Sequence, residues 1–378
     1  MTGAGEGRRS DGSKRTVALV FGGRSSEHGV SCVTAAGVLR AIDRTKYDVL
    51  PIGITRRGAT VLADEEELAG YRLDAVALPE VHDNGTRVLW PASTETRALT
   101  LVASDGSIRS LGSVDAVIPM LHGPYGEDGT IQGMLDLVDM PYVGSGVLSS
   151  ALCMHKHLAK SVLAGAGIPV APWRMVTQGE VDRDPAIIDT LDEGLDYPLF
   201  VKPARAGSSM GVSRVTERAG IAAALEVAFY EDSSVLIESA VAGREIEIGV
   251  LEGRDGASPR ASSAVGEIVM TSRSFYDFES KYLGGAGVEL ELPAKVTAEE
   301  FEAIRAIAIR AFELAQCEGL ARVDFFLTAQ GPVLNEINTL PGFTPISMFP
   351  RLWEESGLSY TELITELVEL AVAKRPAY

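Results

Sequence analysis

The chain has 378 residues, 46% of them hydrophobic and 23% charged, enough for two or three globular domains with real cores. A formal net charge of -18 excludes a nucleic-acid or anionic-membrane surface as the main partner, while leaving room for a local basic pocket that takes phosphates. Cys32, Cys153 and Cys317 are far apart, odd in number and without metal-ligand spacing, which fits a reducing cytoplasm and buried small hydrophobes.

Residues 1–15 are rich in Gly, Ser and Arg and lack an apolar core, so they read as a disordered tail, neither signal peptide nor membrane span. No later run approaches a spanning length. Residues 16–21 are a continuous apolar run. Gly22, Gly23, Arg24, Ser25, Ser26, Glu27 and His28 follow, then a helical pattern over 30–42. A buried strand, a glycine turn and a helix open a doubly wound α/β domain. The glycines depart from G-x-G-x-x-G spacing, which disfavours a nicotinamide cofactor. Glu27 sets a carboxylate where backbone amides would attract an anion, which suits an ammonium group. A favourable charge in the first helical turn explains it equally well.

Residues 47–54 form a second strand, and 56–113 are polar and weakly patterned apart from short strands near 87–90 and 99–103. A buried strand over 114–121 runs into the loop His122, Gly123, Pro124, Tyr125, Gly126, Glu127, Asp128, Gly129, at the strand end where open α/β sheets place ligands. Ile131, Met134, Leu135 and Val138 then sit at helical spacing as core, and 142–145 closes the first domain. Residues 148–164 read as one helix carrying Lys156 and Lys160. The strand 198–202 ends in Lys202 and enters a loop of small residues, 203–211, which reads either as a flap over phosphates or as a flexible surface loop. It is not a Walker A sequence.

A strand over 235–238 ends in Glu238, and 245–251 alternates charged and apolar residues as a half-buried antiparallel strand does. The stretch 271–293, with several aromatics and three glycines, reads as a functional lid. Thr297 with Glu300, and Ser359 with Glu362, are capping boxes for two scaffold helices. Between those helices, strand-like runs 320–327 and 333–337 flank the turn residues Gln330, Gly331 and Pro332 as a β-hairpin. A hairpin closing symmetrically about Gln330 sets Asp324 opposite Glu336 and Arg322 opposite Asn338. Like charges opposed in a sheet are destabilising, and a divalent cation would reverse that sign. The alternative is the solvated face of an edge hairpin.

Five motifs coincide in order: Gly-Gly-x-Ser-x-Glu ending at Glu27, His-Gly-Pro-x-Gly-Glu-Asp-Gly at 122–129, Val-Lys-Pro-x-x-x-Gly-Ser-Ser at 201–209, Tyr-Asp-x-x-x-Lys-Tyr at 276–282 and Asn-Thr-x-Pro-Gly at 338–342. With them the chain resembles ATP-grasp enzymes, and closely the D-alanine:D-alanine ligases of peptidoglycan synthesis, from residue 16 to the C-terminus and most weakly over 56–113. The resemblance implies an α/β protein: a Rossmann-like N-terminal domain (16–146), then a two-part ATP-grasp fold with a central part (147–236) and a C-terminal part (237–378) bearing the lid 271–293.

It further implies Lys156 and Lys202 on the nucleotide phosphates, Lys281 near the γ-phosphate, Glu238 near adenine and Glu245 at the ribose. Asp324, Glu336 and Asn338 would hold two Mg²⁺ ions, for which Mn²⁺ substitutes. Glu27 would hold the ammonium of the first D-alanine, linked through Ser208 and Tyr282 to the lid, with His122 nearby. Arg322 and the Gly342 amide would face the oxyanion of acyl transfer. Ser347 and the Met348 backbone would receive the second D-alanine's carboxylate. Ser239, Ala240 and Val241 lack the lysine and aromatic that some members carry there, which leaves adenine to backbone contacts such as Val241. The resemblance implies a cytoplasmic enzyme that forms homodimers through its first domain, and it leaves K⁺ activation open. Ligases that join D-alanine to D-lactate or D-serine share the pattern, but the Lys281–Tyr282 pair matches the dipeptide-forming ones. A non-catalytic nucleotide-binding protein is disfavoured because the metal ligands, the lysines and Arg322 are all present.

Overall fold

The structure is a computed structural model that describes residues 12–73, 78–270 and 288–374. The expected tail falls outside the described residues over 1–11, and its last part is ordered. Lys14 pairs with Asp48 at 3.2 Å, and Arg15 opens the first strand and pairs with Glu369. The lid segment 271–287, with Lys281 and Tyr282, also lies outside the described residues.

β1 (Arg15–Gly22) pairs in parallel with β2 (Tyr47–Ile54) on one side and β7 (Ala116–Met120) on the other, and β3 (Thr60–Leu62) adds an antiparallel edge. The first run is apolar at every position because the sheet is covered on both faces. Val17, Leu19 and Phe21 belong to one core, Ala18 and Val20 to another. The second core also takes Val88, Leu99 and Leu101 from a small sheet of β4 (Arg87–Leu89), β5 (Ala98–Val102) and β6 (Ile108–Ser113). That accounts for part of the weakly patterned region. Helix α1 (His28–Ala41) begins two residues before the sequence pattern suggested. A short helix α2 (Glu65–Gly70), capped by Asp64 on the Glu67 amide, was not anticipated. α3 (Thr130–Asp136) follows the 122–129 loop.

The single helix expected over 148–164 is two: α4 (Val147–Met154) and α5 (Lys156–Gly165), broken at His155, whose backbone is extended (φ -93°, ψ 92°). The break has a hydrogen-bonding cause. The Lys156 amide leaves the helical ladder and donates to the Ala204 carbonyl at 3.0 Å, tying the start of α5 to the small-residue loop. The central sheet is fully antiparallel, in the order β10 (Ser213–Val215), β9 (Leu199–Pro203), β11 (Ser234–Ser239), β8 (Trp173–Thr177), with α6 (Gln178–Arg183) after β8. Leu199, Val201, Val235 and Ile237 pack on α7 (Ile221–Glu231). Their alternate neighbours Phe200, Lys202, Leu236 and Glu238 therefore share the opposite face. β11 runs to Ser239, so a domain division at 236 would cut a strand and belongs after it.

The last sheet runs β15 (Val288–Glu291), β14 (Gly266–Met270), β12 (Arg244–Leu251), β16 (Leu320–Thr328), β17 (Gly331–Asn338), with β13 (Arg260–Ala261) on β12. α8 (Ala298–Leu314) buries Ile304, Ala308, Ala311 and Phe312 against Ile246, Ile248, Val323 and Phe325. Period two then sends Glu245, Glu247, Arg322 and Asp324 to the other face. Both expected capping boxes form, Thr297 with Glu300 and Ser359 with Glu362. α9 (Met348–Glu355) and α10 (Tyr360–Ala373) return to the first domain. Phe349, Trp353, Leu363, Leu367 and Val368 share one core with Val17, Leu19, Phe21 and α1.

Candidate functional site

The hairpin register at the carboxylates is the expected one: Asp324 pairs Glu336 and Arg322 pairs Asn338. Its cause differs from symmetric closure. The turn is the two residues Ala329 and Gln330, with Thr328 opposite Gly331, so Gly331 and Pro332 already belong to β17. That turn alone would set every pair one residue off. A β-bulge beside Phe325, with Asn335 as the extra residue, restores the facing carboxylates.

These residues meet Glu247 of β12, which lies opposite Asp324 on its other side. Three adjacent strands therefore place Glu247, Asp324 and Glu336 in one row. Arg322 forks onto both Asp324 oxygens, Nε to Oδ1 and Nη2 to Oδ2 at 2.8 Å each, and its Nε lies 3.3 Å from Glu247. The Asn338 amide nitrogen donates to Asp324 Oδ2 at 2.9 Å. Burial alone would lower the Arg322 pKa, but Asp324 and Glu247, with Glu336 behind them, outweigh it and hold it well above the ordinary value. Two carboxylates and an amide oxygen are hard donors of the kind Mg²⁺ takes, so the set fits that ion.

The row lines one wall of a cleft of about 630 Å³ between the last two sheets, and Lys202, Glu238 and the 206–212 loop line the other. Glu238 is buried between two lysines: Lys202 donates to Oε1, and Lys160 Nζ lies 3.1 Å from Oε2. Among the described residues, neither Lys160 Nζ nor Glu238 Oε2 has a partner besides the other. Burial would raise the Glu238 pKa, yet Lys202 and Lys160 hold it below the usual carboxylate range. Burial lowers the Lys160 pKa more than Glu238 raises it, and Lys202 adds a smaller lowering. A buried wall with spare donors and acceptors suits a flat polar ligand. Lys156 reaches back to the Ala206 carbonyl at 2.6 Å, while Val241 and Glu245 line the same cleft.

At the far end, Glu27 stands at the N-cap position of α1 yet makes no side-chain cap. Its carboxylate accepts from the Ser208 hydroxyl. Ser208 and Ser209 lie at φ 49° and 58°, a conformation that costs non-glycine residues energy and turns the Ser208 hydroxyl toward Glu27. A Cβ at Gly123 would come within 2.6 Å of Glu27 Oε2, so only glycine lets the 122–129 loop approach it. His122 is buried, with Nε2 3.1 Å from Thr34 Oγ1 and Nδ1 3.7 Å from Glu127. Burial opposes its protonation, but Glu127 and Glu27 raise its pKa, while burial pushes the Glu127 carboxyl up.

Ser347 is the N-cap of α9. Its Oγ accepts from the Thr344 amide at 3.1 Å and lies 3.2 Å from where a Gly342 Cβ would sit. Gly342, Ser347 and Met348 thus present a helix N-terminus to the cleft, a place for a carboxylate. Glu27, His122, Lys156, Lys202, Ser208, Glu238, Val241, Glu245, Arg322, Asp324, Glu336, Asn338, Gly342, Ser347 and Met348 all line this one cleft. Lys281 and Tyr282 fall outside the described residues. Sequence reasoning gave no role to Lys160, Glu127 or Glu247. The signal for Glu247 was present, since the alternation of 245–251 puts it on the face of Glu245.

The N-terminal family model "D-ala D-ala ligase N-terminus" matches residues 16–145, and "D-ala D-ala ligase C-terminus" matches 162–369. A D-alanine--D-alanine ligase of Kineococcus radiotolerans is 51% identical over 96% of this chain and 98% of its own length. One from Streptomyces griseus is 50% identical over 96% and 93%. Among solved structures, the VanG D-Ala:D-Ser ligase of Enterococcus faecalis superposes with a TM-score of 0.80 at 34% identity, covering 95% of this chain and all of that one. The D-alanine-D-alanine ligase of Coxiella burnetii gives 0.76 at 33%, covering 95% and 94%. Two family models that together match 16–145 and 162–369, and relatives about half identical over nearly the whole chain, carry one conclusion: the chain belongs to the D-alanine--D-alanine ligase family, with its ATP-grasp fold.

Proposed function

We propose that this chain joins two D-alanines at the expense of ATP through a D-alanyl phosphate, releasing ADP and phosphate, and so supplies the dipeptide for peptidoglycan precursors. The observation that carries it is the meeting of an ammonium-seeking carboxylate, Glu27 on Ser208, and the row Asp324, Glu336, Asn338 in a single cleft. Glu27 orients the first D-alanine so that its carboxylate faces the nucleotide. Glu238 and the backbone near Val241 bind adenine, Glu245 the ribose, and Lys156 and Lys202 the phosphates, with Lys281 at the γ-phosphate. Asp324, Glu336 and Asn338 hold Mg²⁺, which neutralises phosphate charge when bound. Ser347 and the Met348 amide hold the second D-alanine's carboxylate, so that its amine faces the acylphosphate. Arg322 and the Gly342 amide stabilise the tetrahedral oxyanion. His122, paired with Glu127, lies where a proton can be held beside the first substrate. The lid, with Tyr282 on Ser208, excludes water from a hydrolysable intermediate. We place the enzyme in the cytoplasm as a homodimer, with Mn²⁺ able to replace Mg²⁺ and K⁺ as a candidate activator.

The likeness to VanG raises D-serine as the second substrate, while relatives near 50% identity, named for D-alanine, favour D-alanine. Phosphate release is measured with ATP, Mg²⁺ and D-alanine alone or with D-serine or D-lactate. Release that needs D-alanine only is expected. No D-alanine-dependent release overturns the reading, and release that appears only with D-serine or D-lactate moves it to that acceptor. Glu336→Gln is expected to abolish turnover, and near-normal rates at saturating Mg²⁺ would remove Glu336 from the ligand set.

A further inference from the structure

Asp324 serves two cationic groups. Both of its oxygens are taken by Arg322, and Asn338 donates to one of them. A cation bound at Asp324 shares those oxygens, draws on their charge and repels the guanidinium, which a further anion then offsets. Without one it either stays on Asp324 and competes with the cation, or leaves the place where an oxyanion forms.

The row supplies that anion. Arg322 faces three carboxylates, Asp324, Glu247 and Glu336. Two of them are the metal ligands of the proposed function, on which this argument rests. The third, Glu247, is buried, sits on the central strand β12 opposite Asp324, and already has Oε2 3.3 Å from Arg322 Nε. The next residue of β12 on this face, Gly249, lies opposite Arg322 and brings no side chain of its own. The charges fit the same division. One guanidinium against three carboxylates leaves two negative charges, and without Glu247 it leaves one, so Glu247 offsets the repulsion that a bound cation adds. A fixed cation beside a bound cation needs such a counter-charge in a poorly solvated site.

We propose that Glu247 is a positioning residue that holds Arg322 at the reacting centre when a divalent cation takes Asp324. Its work is to make metal binding and guanidinium placement compatible.

The test is a double-mutant cycle on the full chain, with Mn²⁺ as probe in the presence of ADP and free Mn²⁺ counted by electron paramagnetic resonance. Glu247→Gln, Arg322→Gln and the double variant are compared. Glu247→Gln is expected to weaken Mn²⁺ binding about 10-fold more when Arg322 is present than when it is absent, since only the guanidinium competes for Asp324. Equal weakening in both backgrounds means that Glu247 acts on the metal directly, and it overturns the proposal. In turnover, Glu247→Gln should lower kcat about 30- to 100-fold with KM for ATP within about 3-fold, somewhat less than deleting an oxyanion donor outright. Unchanged kcat overturns the proposal as well. If Glu247→Gln does not fold, Glu247→Asp, which keeps the charge but withdraws it, takes its place in the cycle with the same two outcomes. A wild-type chain that shows no D-alanine-dependent phosphate release refutes the proposed function but leaves the Mn²⁺ cycle readable, so the two failures are distinct.

Discussion

At the scale of single residues, the turn between β1 and α1 shows how partners fix a role that residue type leaves open. Glu27 could have been a first-turn charge, but its carboxylate turns from the helix amides to Ser208. Its neighbour His28 is fully buried, with Nδ1 2.6 Å from the Gly23 carbonyl and Nε2 accepting the Val81 amide at 2.9 Å. Because the Val81 group can only donate, Nε2 is unprotonated and the proton sits on Nδ1. Burial lowers the His28 pKa more than the Gly23 bond raises it. A depressed pKa means that the unfolded chain binds the extra proton first. Stability from this group is therefore complete above the ordinary value of 6.5 and is lost as pH falls from there through the folded value. Denaturant midpoints for wild type should drop over that interval, and His28→Gln should flatten the drop. An unchanged slope would show that His28 does not titrate on unfolding. Lys160, by contrast, could not be picked out from sequence: a lysine four residues after another on a helix reads as solvated. Only the break at His155 and the fold of β11 bring it to Glu238.

At the scale of elements, strands were legible where burial is two-sided or strictly alternating, as in β1, β12 and β16. Capping boxes marked both late helices, because their chemistry is local. Of the 56–113 region only β4 and β5 were legible, since its short strands close over a core they share with β1 and β7 rather than one of their own. The hairpin was legible for a reason that sequence did not contain. The facing of Asp324 and Glu336 depends on a bulge that no propensity scale reports. Deleting Asn335 should remove that bulge and leave Glu336 opposite Asp324 and Asn338 opposite Arg322, because the two-residue turn then sets those pairs directly. The expected result is Mn²⁺ binding within about 3-fold of wild type with the far-UV circular dichroism retained, and loss of Mn²⁺ binding would show that the bulge itself, beyond the facing of the two carboxylates, shapes the ligand set.

At the scale of the whole molecule, the domain divisions read from sequence do not coincide with the cores. The cleft is built between two sheets, but its outer end is held by helices that pack on a third. Leu363 of α10 is fully buried in the core that also contains Val17 and Phe21. Leu363→Ala should cost about 2–5 kcal/mol. Hydrogen exchange should quicken in β1 as well as in α10, and protection lost from α10 alone would mean that the last helix is an independent cap. The last sequence-encoded element thus completes the first domain. On the ribosome, β1 and α1 emerge early, and the other side of their packing, α9 and α10, arrives some three hundred residues later, roughly 15–60 s at usual synthesis rates. For that interval an apolar face has no partner, so the moment of greatest exposure to aggregation in the life of this chain comes before its synthesis is finished.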